Sequence, residues 1–261
     1  MKREDKQKTE KKQHKGYPKW LFQMFYKPRA TLTKVVAEDV SNKSTPLIFI
    51  TIMVVLAVMI AAPVKTQLLQ TGGTLPDNYQ YWTESQQEQY QEAQQNKSSP
   101  IFMYGFPIFT GIAGYLIFSM LMSSILYLAL TLAGSRAPRL KIGNLVAWTM
   151  VPFGLRELVK FFVVGFSKQL VENPGLSNLV DAEAEGFNAY LRGILGSIDL
   201  YWLLFLTLLI IGANLISGLP KRKTILTTIV AVLIMLLLQG IPSFLSALMS
   251  GLSTGGVGFY F

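Results

Sequence analysis

The sequence predicts an all-α membrane protein, a five-helix transmembrane bundle with an N-terminal membrane-surface segment. Three observations predict it. The chain is 51% hydrophobic and only 15% charged, against about 25% charged in an ordinary soluble domain. Its apolar residues gather into five runs of about 18 residues or more, the length that crosses hydrocarbon as a helix. Lysine and arginine concentrate on alternate connections between those runs, as the positive-inside rule requires of a multi-span protein. That distribution accounts for the net charge of +9. The partner it implies is the lipid bilayer, and no nucleic acid is expected.

Taken in order, residues 1–16 read as a disordered basic tail with no apolar anchor beyond Met1. The interfacial amphipathic segment follows at 17–45. Trp20, Phe22, Phe25 and Tyr26 are interleaved there with Lys19, Lys27 and Arg29. Aromatic and basic residues mixed in this way suit the headgroup layer. A short cytosolic partner-binding element is the alternative. Pro28 should divide the segment into two pieces, because it cannot donate an intrahelical bond.

The transmembrane domain is expected over 46–249, with spans at about 46–64, 107–133, 143–166, 199–218 and 224–249. Pro46 fits a first helical turn, and Pro63 is expected to close the first span. The connection 65–106 is polar and glutamine-rich, a solvated loop or polar helix, or else a docking element for another protein. Gly111 with Gly114, and Ser119 with Ser123, allow close helix approach in the second span. The connection 167–198 is acidic, through Glu172, Asp181, Glu183 and Glu185. Residues 250–261 read as a glycine-rich extracytoplasmic tail.

With five spans, the N-terminal segment and two short turns share one side. They hold 18 of the 24 lysines and arginines. Each turn, around Arg136–Lys141 and around Lys221–Lys223, carries three basic residues and no acid. The rule places this side, with the N-terminus, in the cytosol and the C-terminus outside. Integral residence in a bacterial cytoplasmic membrane is the expected location.

The third span carries the candidate site. Arg156, Glu157 and Lys160 interrupt its apolar run, and Pro152 breaks its hydrogen bonding. A charge at the centre of a spanning helix costs at least about 2.5–3.5 kcal/mol on insertion scales. Lys160 lies three residues after Glu157, close enough on a helix to pair with it. Arg156, roughly 22 Å along a helix from Lys141, is expected near mid-bilayer. Gln239 reaches a similar depth from Lys223. Gln239, or a carbonyl freed by Pro152, is therefore expected to accept from Arg156. This cluster is either a structural polar clamp, a short span whose outer end becomes interfacial, or a substrate or proton path.

Enzyme signatures are missing. There is no cysteine, and the one histidine, His14, sits in the basic tail. The His-Glu-x-x-His, Gly-x-Ser-x-Gly and phosphate-loop patterns do not occur. No cofactor and no metal are expected, and the protein reads as a non-enzyme.

Several scattered stretches carry a resemblance. They are Lys27-Pro28-Arg29-Ala30-Thr31-Leu32, Ala147-Trp148-Thr149-Met150-Val151-Pro152-Phe153 and Asn173-Pro174-Gly175-Leu176-Ser177. To these are added Ile198-Asp199-Leu200-Tyr201-Trp202, Gly212 and Leu219-Pro220-Lys221-Arg222-Lys223. Together they resemble the YIP domain family, the Ypt-interacting-protein-like five-span membrane proteins, in its bacterial form. Eukaryotic relatives are associated with small GTPases and vesicle membranes, but no GTPase-contact motif is identifiable here. For a bacterial member the resemblance implies an accessory or regulatory subunit of a membrane complex, such as an ABC exporter, or a membrane-organising factor. The rival expectation is a small transporter or channel using the charges of the third span. Oligomeric state is left open.

Overall fold

The structure is a computed structural model that describes residues 17–71, 79–171, 174–181 and 186–253. The basic tail, residues 254–261, Glu172, Asn173, Glu183 and Glu185 lie outside them. Every regular element among the described residues is helical. The helices are α1 (Tyr17–Tyr26), α2 (Pro28–Ala37), α3 (Ser44–Thr71), α4 (Glu84–Ser98) and α5 (Phe106–Leu132). Then come α6 (Arg139–Thr149), α7 (Val151–Ser167), α8 (Gly186–Ser197), α9 (Leu200–Ile216), α10 (Lys221–Gln239) and α11 (Ile241–Ser253).

Three helical stretches are long and apolar enough to cross a membrane: Ser44–Leu68, Ile101–Leu132 and Lys221–Leu248. The count is four if α8 and α9, bent at the break between them, form one broken span. The expected third span is divided at Met150, and its 17-residue C-terminal piece holds the charges. The expected fourth span is only 17 residues long as a helix. A five-span count is therefore not carried by helix length and composition alone.

Two boundaries differ from those expected. α3 continues through Pro63 to Thr71. Proline is tolerated inside membrane helices where hydroxyls and neighbours relieve the freed backbone. The carbonyl that Pro63 leaves without a ladder donor is that of Met59, one turn earlier in α3. Helix α8 occupies what reads as a loop, since Gly193 and Gly196 in its interior weaken the helical signal.

The chain divides into two compact units. Among the described residues, the first comprises 17–50, 115–154 and 199–238. Its centre is α6, whose residues from Asn144 to Thr149 are all buried. A helix enclosed on every face is a core element. α2 packs on α6 and on α9, burying Thr31, Leu32 and Val35. α5 contributes Phe118, Met122, Leu126 and Leu130, an i, i+4 stripe down one face. Phe118, Phe153 and Phe205 form a ring cluster with centroids 5.1–5.5 Å apart. Gly212 lets α9 approach α6, because a Cβ there would overlap Leu145.

The second unit comprises the described residues within 51–114, 155–198 and 239–253. In it α8 packs on α11. A Cβ at Gly193 would lie 2.5 Å from the Ser243 hydroxyl, and one at Gly240 would lie 2.6 Å from the Tyr190 ring. The glutamine-rich stretch forms the polar helix α4. Thr83 caps it reciprocally with Gln86, the arrangement of a capping box. Tyr79, Trp82 and Tyr90 pack against one another at 5.4–5.7 Å.

Candidate functional site

The charged cluster forms on α7. Lys160 Nζ lies 3.0 Å from Glu157 Oε1, and Arg156 Nε lies 3.6 Å from the same oxygen. Glu157 is buried, while Lys160 is 39% exposed along its side chain. One carboxylate thus sits between two cations, and the lysine stem is free to carry its ammonium outward. Pro152 is buried at the second residue of α7. Without its N–H the ladder tightens, and the Phe153 N–H reaches the Met150 carbonyl at 2.9 Å. That is a 3₁₀-type bond across the α6–α7 break.

Gln239 does not join this cluster through Arg156. Its only acceptor, Oε1, is buried without a hydrogen-bond partner, and a guanidinium can only donate. The hydrogen bond expected between the two side chains is therefore not made. Equal depth along two helices does not fix the rotation of either one, and rotation decides which side chains meet.

A second polar constellation, in the first unit, escaped the sequence reading. The Asn42 N–H donates to Asn144 Oδ1 at 3.1 Å. Asn144 Nδ2 donates to the Val40 carbonyl at 2.9 Å, and Trp148 Nε1 donates to Asn42 Oδ1 at 3.0 Å. The indole of Trp148 also receives Trp20, with centroids 5.7 Å apart. Trp20 in turn packs on Tyr17 at 5.0 Å. One buried tryptophan thereby fastens both α1 and the connector from α2 to α3. The available signal was Asn144 itself, an amide inside an apolar run. An unpaired amide costs most where water is excluded, so such a residue needs partners.

The expected surface anchors divide. Trp20 faces the protein through Trp148. Phe22, Phe25 and Tyr26 are exposed at 74%, 50% and 64%, and Arg29 is exposed as well.

The basic segments of the first unit are joined. Lys141 pairs with Asp39 at 3.0 Å, tying the turn before α6 to the N-terminal segment. The Ser135 hydroxyl donates to the Ser217 carbonyl at 2.7 Å, tying that turn to the one before α10. The Ser217 hydroxyl meets Thr224 Oγ1 at 2.9 Å. Gly134 and Gly218 adopt positive φ, 95° and 65°, as left-handed helix caps need. At Gly134 the following N–H, from Ser135, returns to the Leu130 carbonyl at 2.9 Å, a Schellman closure.

The stretches that carried the resemblance are also fasteners. Gly175, at φ 58°, sits against the end of α8, where a Cβ would lie 2.6–2.9 Å from the carbonyls of Leu195, Gly196 and Ile198. The Leu176 N–H donates to the Leu195 carbonyl at 2.9 Å. Asp199 caps α9 by accepting from the Trp202 N–H at 2.7 Å. Among the described residues, no group of three or more His, Cys, Asp or Glu could hold a metal ion.

Long apolar helices that spend their polar side chains on fastening one another define a membrane-type helical protein. The particular family follows from comparison with known families. The Yip1 domain model matches residues 22–241, most of the chain, and the protein belongs to the Yip1 domain family. Proteins of this family are, in general, membrane-organising and non-catalytic. No curated protein and no solved structure matches the chain.

Proposed function

We propose that the protein is a non-enzymatic accessory or regulatory subunit of a membrane complex, with a bacterial ABC exporter as the leading partner. It resides in the cytoplasmic membrane, with its N-terminus and basic turns in the cytosol and its C-terminus outside. The observation that carries this reading is where the polar side chains go. Asn42, Asn144 and Trp148 bond to one another and to the backbone. Ser135, Ser217 and Thr224 bind turn to turn. Lys160 is held by the carboxylate three residues before it. A conducting path needs polar groups from several helices facing a common lumen, and these groups are spent on the scaffold instead.

Affinity purification from the native membrane in mild detergent tests the reading. Stoichiometric recovery of exporter subunits with their ATPase is the expected result. Recovery of the protein alone overturns it when the same preparation moves ions or solute in liposomes and loses that activity on Arg156→Ala.

A further inference from the structure

Helix α1 has two apolar faces, and only one of them is used. Tyr17, Trp20 and Met24 follow one another at helical spacing and turn to the protein. Tyr17 and Met24 are buried, and Trp20 lies against Trp148. Phe22, Phe25 and Tyr26, spaced i, i+3 and i+4, occupy the opposite face and are uncovered. Lys19 lies on that same face, three residues before Phe22. A surface helix of a folded domain normally presents polar residues opposite its core face. This one presents three aromatic rings.

The charge around this face identifies its occupant. From Tyr17 to Ala37 the chain carries Lys19, Lys27, Arg29 and Lys34 and no acidic residue. All four are exposed, and Lys27 Nζ stands 5.9 Å from the centre of the Tyr26 ring. Aromatic rings bordered by lysine and arginine match the headgroup layer of an anionic leaflet, where rings enter the acyl boundary and cations stay with phosphate. A soluble partner's apolar groove would not call for this excess of positive charge.

We propose that α1 is a lipid-reading helix, docked to the bundle through Trp20 and inserted through Phe22, Phe25 and Tyr26 into an anionic leaflet. Its charge preference comes from Lys19, Lys27, Arg29 and Lys34. That this leaflet is the cytosolic one rests on the sidedness proposed above. Insertion itself does not depend on it, since liposomes with the same lipids in both leaflets test it either way.

The absence of native cysteine makes the experiment direct. Full-length Phe22→Cys protein, carrying a nitroxide label, is reconstituted in phosphatidylcholine and in an equimolar mixture with phosphatidylglycerol. In the mixture the label becomes shielded from a water-soluble relaxation agent and open to oxygen. Each lysine lost should lower the inserted-to-free ratio roughly fivefold. Lys19→Gln with Lys27→Gln should therefore lower it by roughly 25-fold. Position 22 is exposed, so unfolding is not expected, and unchanged thermal melting of the labelled protein checks this. A label that stays in water in both lipids overturns the proposal. So does equal shielding in both lipids with no effect of the lysine changes, or shielding that appears only when another protein is added.

Discussion

Asn144→Ala tests the fastening of the N-terminal segment most directly. The substitution removes two hydrogen bonds, from the Asn42 N–H at 3.1 Å and to the Val40 carbonyl at 2.9 Å. Val40 is exposed, so its carbonyl can turn to water and loses only the net worth of one bond, about 1 kcal/mol. Asn42 is buried, and its N–H would be left without an acceptor, at about 1–3 kcal/mol. The sum is about 2–4 kcal/mol. For a chain of this size that lowers Tm by roughly 4–16 °C. Melting in mild detergent, followed by tryptophan fluorescence, measures it. Trp148→Phe removes the donor to Asn42 Oδ1 and should couple to Asn144→Ala, with the double variant losing less than the two singles combined. A shift below roughly 2 °C, or strict additivity, would refute the view that these three side chains act as one unit.

Four further outcomes are expected. Glu157→Gln removes the carboxylate that Lys160 and Arg156 approach. It should cost about 2 kcal/mol, less than for a fully buried pair because Lys160 can reach outward; an unchanged melt would sink the clamp reading. Gly212→Ala should destabilise by about 1–3 kcal/mol through overlap with Leu145. Leu145→Ala in the same chain should recover part of that loss, and failure to do so would place the strain elsewhere. Gln239→Met should leave Tm unchanged or raise it, because the buried Oε1 has no partner to lose; a large fall would reveal an essential polar contact. The hydroxyl of Tyr17 is pushed above its ordinary value of 10.0 by burial and by the nearby Glu38 charge. The folded state therefore keeps that proton longer than the unfolded chain does. Stability is intact below pH 10.0 and declines as pH rises beyond it. Tyr17→Phe should flatten that alkaline decline in a pH series of melts.

Much of the scaffold was legible because membrane physics writes it coarsely. Lipid demands long apolar helices with their backbone bonds satisfied internally, and residues 44–71, 106–132 and 221–239 carry that pattern plainly. Proline is equally explicit: α1 ends at Tyr26 and α2 begins at Pro28, the position where the missing N–H costs nothing. α8 was not legible, because Gly193 and Gly196 serve close packing rather than helix propensity. Within the candidate site, Glu157 and Lys160 could be paired from sequence because spacing of three suffices within one helix. The partners of Asn144 could not, since Val40 and Asn42 are more than 100 residues away. Nor could the separation of Trp20 from Phe22 and Phe25, which depends on which face of α1 meets Trp148.

The recognisable residues of this chain and its working residues are different sets. Pro28, Trp148, Pro152, Gly175, Asp199 and Gly212 carry the family resemblance, and each acts on the fold: a helix start, a hub, a break, a cap against carbonyls, an N-cap and a close approach. Residues that fix a scaffold say little about what the scaffold holds. The surfaces left over are the aromatic face of α1, the polar helix α4 and the lipid-length faces of α3, α5 and α10. Of these the α1 face combines uncovered rings with exposed Lys19, Lys27, Arg29 and Lys34 on α1, α2 and the residue between them. The hub under it, Trp148, is also the residue that Asn42 and α6 hold in place. Moving α1 away from the bundle therefore means uncovering a tryptophan at the centre of the first unit. α1 also packs on α2 and buries Tyr17 and Met24, so displacing it disturbs α2 and Trp148 together.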